Sequence, residues 1–106
     1  MRTISPTELK EILDKNEPAL VIDIREPEKY VAGHISGSVN IFQKDVPQNI
    51  EKIPREGKVI IACTYGMKSD QVYIYLREKH KFRNLYILEG GLYEWVRDVD
   101  PGMTAL

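Results

Sequence analysis

Residues Val59-Ile60-Ile61-Ala62 form an apolar run that leads straight into Cys63, the one cysteine of the chain. A run of this length, rich in β-branched residues, predicts a strand buried on both faces, and such a strand needs helices on each side of its sheet. From Ser69 onward Val72, Tyr73 and Leu76 recur at helical spacing. Lys79, His80 and Lys81 sit toward the far end, where a helix dipole favours cations. Cys63 therefore falls where a buried strand turns through a short polar loop toward a helix N-terminus. In an open α/β sheet the carboxyl ends of the strands are where sites form.

The thiolate is the reactive form of cysteine, and an ordinary thiol, with a pKa of ~8.5, is only slightly ionised at neutral pH. Helix N-termini and loops of converging backbone N–H groups favour an anion. Lys68 adds positive charge, and Gly66 lets the loop bend through positive φ and leaves room for a substrate. The competing reading is an inert cysteine buried at a strand end, since cysteine is among the most buried residue types. The strand–loop–helix context by itself leaves both open.

The stretch Cys63-Thr64-Tyr65-Gly66-Met67-Lys68-Ser69 resembles the active-site loop of the rhodanese-type sulfurtransferases. Val21-Ile22-Asp23-Ile24-Arg25-Glu26 and Gly33-His34-Ile35-Ser36-Gly37-Ser38-Val39-Asn40-Ile41 are similar to two upstream signatures of that family. Leu88-Glu89-Gly90-Gly91 with Trp95 is similar to its closing signature. All four stand in the family's order and spacing, over nearly the whole chain. The resemblance implies an α/β fold: a three-layer domain with a central parallel sheet of about five strands and helices on both faces. It places the cysteine strand centrally, beside the strand that ends in Asp23 and Arg25.

At 106 residues the chain is expected to form one domain, 1–106, with a C-terminal tail from about 99 that is loose over Met103 to Leu106. Fifteen basic residues nearly cancel 16 acidic ones, and no long run of either sign calls for nucleic acid or an anionic membrane. No apolar stretch approaches membrane-spanning length, and residues 1–6 lack the apolar segment of a signal peptide. A single cysteine excludes an internal disulfide and a Cys-x-x-Cys pair, and fits a reducing compartment. A cytoplasmic location is expected.

Ser5 with Glu8 reads as a capping box, and Pro6 takes the first position of a helix that carries Leu9, Ile12 and Leu13. Residues 19–25 read as the next strand. Asp23 and Arg25 project from one face of it. They border the catalytic loop, as the resembling family's pair does, or form a structural ion pair or cap that braces nearby loops, the favoured reading for Asp23. Pro27 opens a short helix. His34 invites pairing with Cys63, because Cys–His pairs activate thiols. The resemblance argues for a scaffold role, with the thiolate served by loop amides and cations. Neither histidine has a partner at metal-ligand spacing, and no metal site is expected. Phe42, Val46, Ile50 and Ile53 fit one helical face, and no substrate contact is legible there. Residues 84–88 read as a further strand, Gly90-Gly91 as a turn into the last helix, and Trp95 as core.

The chemistry implied by the resemblance is two half-reactions at one sulfur. Cys63 takes the outer sulfur from a sulfane donor, such as thiosulfate or a persulfide, a carrier protein's included. It then passes that sulfur to cyanide, a small thiol or a protein cysteine. No metal or organic cofactor is implied. Thr64 to Lys68 would line the site, with Lys68 as partner of an anionic donor, and Ser69 closes the loop. The family's thiosulfate-type loops carry a cation after cysteine and an arginine before Ser/Thr; here those positions are Thr64 and Lys68, and lysine lacks arginine's bidentate fork. Two other classes remain: a cysteine-dependent phosphatase or arsenate reductase, disfavoured by the shorter loop and missing arginine, and a non-catalytic protein-binding module, against which the retained cysteine argues.

Overall fold

The computed structural model describes residues 1–105. Five strands form one sheet: β1 (Thr3–Ile4), β2 (Ala19–Asp23), β3 (Val39–Asn40), β4 (Lys58–Ala62) and β5 (Leu85–Leu88). Their spatial order is β1-β5-β4-β2-β3, and every pairing is parallel. The cysteine strand β4 thus lies at the centre. It pairs with β2 from Ala19 opposite Lys58 to Asp23 opposite Ala62. This register brings the carboxyl ends of β2 and β4 level, so the segments leaving them meet above the same edge of the sheet.

Among the described residues α1 (Pro6–Asp14), α2 (Pro27–Ala32) and α3 (Ser69–His80) join strands, and α4 (Gly91–Asp98) follows β5. The alternation of β4 sorts its side chains between two cores. Val59, Ile61 and Cys63 pack with Val72, Tyr73 and Leu76 of α3. Ile60 and Ala62 pack with Leu9 of α1 and with Leu92 and Trp95 of α4. The strand is buried on both sides, as its composition requires, and Cys63 falls to the α3 side by continuing the odd-numbered register.

The capping box of α1 is formed. The Glu8 N–H donates to Ser5 Oγ at 3.1 Å, and the Ser5 N–H donates to Glu8 Oε1 at 3.0 Å. Residues 43–52 differ from a single helix. They wind as two 3-10 turns, Gln43–Gln48 and Ile50–Lys52, with Pro47 inside the first. Proline has no N–H to donate within a helix interior, which breaks a continuous α-helix here and leaves short turns. The apolar side is nevertheless kept, since Val46 and Ile53 are buried and Ile50 packs on the same core. β2 ends at Asp23, short of the expected Arg25.

The C-terminal segment also departs from expectation. In place of a loose tail, Val99, Met103 and Ala105 pack against the α1–α4 core. The chain passes so close to Gly33 that an added Cβ there would stand 2.2 Å from the Thr104 carbonyl oxygen. Apolar Val99, Met103 and Ala105 are what this return buries. The expected tail's last residue, Leu106, lies outside the described residues.

Candidate active site

The loop between β4 and α3 begins at Cys63, which is only 4% exposed. The Gly66 N–H donates a hydrogen bond to Cys63 Sγ at 3.1 Å. Gly66 holds φ at +88°, a conformation open to glycine at little cost, and this turns its amide back toward the sulfur. Such a donor is charge-assisted when the sulfur is anionic.

The back of the loop is clamped by the start of α4. The Leu92 N–H donates to the Cys63 carbonyl at 2.8 Å, and the Tyr93 N–H donates to the Thr64 carbonyl at 2.9 Å. These amides belong to the first turn of a helix and have no partner within it. Gly91 sits at the contact with φ +64°. A Cβ there would lie 2.4 Å from the Cys63 carbonyl oxygen and 2.6 Å from the Gly66 nitrogen. The glycine pair is therefore more than a turn: it lets a helix end meet the cysteine loop backbone to backbone.

In front of the sulfur lies a cavity of about 430 Å³. Cys63, Thr64, Tyr65, Met67 and Lys68 form its loop side. Ile24, Arg25, Glu26, Lys29, Phe42 and Gln43 form the other. Tyr65 and Met67 stand out at its rim, 61% and 77% exposed. Two residues of the expected loop set do not line it. Gly66 acts from behind through its amide. Ser69 is fully buried, and its hydroxyl donates to the Ile61 carbonyl at 3.4 Å, tying the loop's end to β4.

Asp23 and Arg25 are both buried and joined in a forked ion pair. Arg25 Nη2 donates to Asp23 Oδ2 at 2.7 Å, and Arg25 Nε to Asp23 Oδ1 at 3.0 Å. Nη2 also donates to the Gly33 carbonyl at 2.7 Å. Asn40 completes the brace by donating to the carbonyls of Asp23 and Arg25. Arg25 thus reaches the cavity wall paired to Asp23 through Nε and Nη2, while its buried Nη1 has no hydrogen-bond partner among the described residues.

Glu26 lies on the same wall and pairs with Lys29 at 3.3 Å. Its own backbone N–H, then Lys29, and at longer range Lys68 hold its carboxyl below the ordinary value, so it is ionised at neutral pH. His34 is elsewhere. Its ring stacks on Tyr30 at 3.9 Å between centroids, and Nδ1 lies 2.8 Å from the Tyr30 carbonyl oxygen. It is not among the residues lining the cavity.

Nothing in the sequence motifs singles out Ile24, Glu26, Lys29, Phe42 and Gln43 as cavity residues. Glu26 stands next to the brace residue Arg25, which offered a weak signal. Phe42 and Gln43 follow β3, and only the sheet order brings them to the cysteine.

A five-stranded parallel α/β sheet with a cysteine loop at the end of its central strand defines the class of protein. The sequence profile described as Rhodanese-like domain matches residues 5–98. The chain belongs to the rhodanese-like domain family. It is 35% identical over 89 residues to the thiosulfate sulfurtransferase GlpE of Pseudomonas entomophila (strain L48), covering 84% of this chain and 80% of that protein. It is 32% identical over 101 residues to the putative sulfurtransferase YtwF of Bacillus subtilis (strain 168), covering 95% and 96%. A rhodanese-like domain protein from Staphylococcus aureus superimposes with a TM-score of 0.83 at 26% identity, covering 100% of this chain and 99% of that one. Among the described residues, no helix is long and apolar enough to cross a membrane.

Proposed function

We propose that the protein is a sulfurtransferase working through a persulfide on Cys63. The observation that carries this reading is the placement of Cys63 Sγ against the Gly66 amide and at the wall of a cavity large enough for a sulfur donor. The Cys63 thiolate attacks the outer sulfur of a sulfane donor. One S–S bond forms on Cys63, and the bond between the donor's two sulfurs breaks. The donor leaves with that electron pair, as sulfite from thiosulfate or as a thiolate from a persulfide. In the second half-reaction an acceptor takes the outer sulfur, and the Cys63 thiolate returns. Cyanide leaves as thiocyanate, and a thiol leaves as a persulfide. Donor and acceptor use the site in turn, which gives ping-pong kinetics.

Residues around the sulfur have matching tasks. The Gly66 amide stabilises negative charge on Cys63, and Lys68 at the cavity wall attracts an anionic donor. Tyr65 and Met67 shape the rim, and Thr64 lines the wall beside the thiol. Asp23 and Arg25 act as positioning residues, holding the segment that faces the loop. Protein thiols, including a persulfide carrier, fit as acceptor or donor because the cavity opens at exposed Tyr65 and Met67.

The test is intact mass after incubation with a sulfane donor, for wild type and Cys63→Ser. A gain of one sulfur atom in wild type only, reversed by cyanide with release of thiocyanate, is the expected result. No gain with any of several donors, in a folded protein with a free thiol, overturns the proposal and leaves a protein-binding module as the better reading.

A further inference from the structure

Trp95 carries a buried indole Nε1 with no hydrogen-bond partner among the described residues. The side chain is only 5% exposed and otherwise belongs to the apolar core of Leu9, Ile60 and Leu92. A buried N–H without an acceptor costs free energy, and such groups are rare in folded chains. Trp95 also stands on the wall of a second cavity, of about 610 Å³. That cavity shares no lining residue with the one in front of Cys63. Trp95 and Cys63 pack in the two cores on opposite faces of the sheet.

The wall around the indole favours a cation. Lys10 brings one positive charge, and Asp14 and Asp100 bring two negative ones, which leaves one net negative charge. Lys10 Nζ is held by Asp14 Oδ1 at 2.7 Å. The Asp100 carboxylate makes no hydrogen bond or ion pair with the described residues. The C-terminal ends of α1 and α4 both border the cavity, and the negative ends of their dipoles add to the same field. Leu13, Ile35 and Val99 supply apolar surface beside these groups. The volume lies within the ~300–1,000 Å³ range of sites that enclose organic ligands.

We propose that this cavity is a second ligand site, and that it takes small monocations of the α-amino carbonyl class with an apolar side chain. The ammonium meets Asp100 and the second oxygen of Asp14. The carbonyl oxygen accepts from Trp95 Nε1, which gives the buried donor its partner. The apolar side chain covers Leu13, Ile35 and Val99, where its burial is favourable. Because the indole N–H is buried, the carbonyl is admitted by a turn of the Lys10–Asp14 pair, whose side chains are 50% and 58% exposed.

Trp95 is the one tryptophan of the chain, so its indole N–H gives a single NMR resonance that reports on the site directly. The experiment titrates the full chain with leucinamide, with isoamylamine, which lacks the carbonyl, and with N-acetylleucinamide, which lacks the charge. At about pH 6.5 both amines are cations. Leucinamide is expected to move the indole N–H resonance downfield and saturably, as a hydrogen bond forms. Isoamylamine is expected to bind about fivefold more weakly, the worth of one hydrogen bond. N-acetylleucinamide is expected to bind about tenfold more weakly, since both carboxylates lose their partner. Asp100→Asn, at an exposed position, is expected to weaken leucinamide about threefold and to leave N-acetylleucinamide unchanged.

An indole resonance that leucinamide does not move saturably overturns the inference. So does an affinity for isoamylamine equal to that for leucinamide, because the carbonyl then finds no donor. An Asp100→Asn variant that binds leucinamide as tightly as wild type overturns it as well. These outcomes leave sulfur loading of Cys63 untouched, and a Cys63 that no donor loads leaves this second site standing.

Discussion

Gly91 and Cys63 meet backbone to backbone: a Cβ on Gly91 would lie 2.4 Å from the Cys63 carbonyl oxygen. The same approach lets the Leu92 N–H bond that carbonyl at 2.8 Å. The geometry of the cysteine loop is thus set partly by a residue far along the chain.

Gly91→Ala is expected to fail on two counts. Its φ of +64° costs an L-residue ~1–2 kcal/mol, and the clash with the loop adds to this. A loss of at least ~2 kcal/mol in urea unfolding is expected, with slower alkylation of Cys63 by iodoacetamide. Gly37→Ala separates the two causes. Gly37 also has positive φ, at +84°, but nothing lies within 4 Å of its added Cβ. It is expected to lose only the conformational part, ~1–2 kcal/mol, and to keep the alkylation rate. Equal behaviour of the two variants would refute the close-approach argument.

The buried pair of Asp23 and Arg25 gives a second expectation. Removing one partner leaves the other's charge, or its hydrogen-bonding groups, without compensation in a low-dielectric setting. Asp23→Asn or Arg25→Met alone is expected to cost ~3–5 kcal/mol. The double variant Asp23→Leu/Arg25→Met is expected to cost clearly less than the sum, because an apolar pair leaves no buried charge. A double-mutant cycle by urea unfolding reads the coupling, and simple additivity would show that the two residues do not act as a unit.

How far the sequence discloses these features follows the range of the physics involved. β4 is legible because its composition alone demands burial on both faces, and the capping box of Ser5 and Glu8 is legible because both partners lie within one turn. The cysteine loop and the Asp23–Arg25 brace are legible from motif order together with strand alternation. Phe42 and Gln43 are not, since their place beside Cys63 depends on β3 lying next to β2 and on two 3-10 turns around Pro47. Gly91 reads locally as a turn residue, and its contact with Cys63 exists only after β5 pairs with β4. The return of Met103 and Ala105 to the core is hidden for a similar reason: Pro101-Gly102 breaks the helix as its composition suggests, but a break does not say where the chain goes next.

The capping box offers a test by pH. The backbone and side chain of Ser5 hold the Glu8 carboxyl below its ordinary value of 4.5 in the folded chain. A carboxyl whose folded value is depressed stabilises the fold above its unfolded value. That contribution is lost as pH falls through the folded value. Glu8→Gln is therefore expected to be less stable than wild type at pH 7, with the gap closing as pH drops below about 4.5. Ser5→Ala removes the cap itself and is expected to cost ~1 kcal/mol at pH 7. It also removes the smaller, side-chain cause of the Glu8 shift and keeps the larger one, the Ser5 backbone N–H, so stability in the Ser5→Ala background is expected to fall only slightly less steeply between pH 5 and 3. Urea unfolding across this range, in wild type and both variants, checks the slopes. A gap between wild type and Glu8→Gln that stays constant from pH 7 to 3 would show that the capping box does not lower the Glu8 carboxyl.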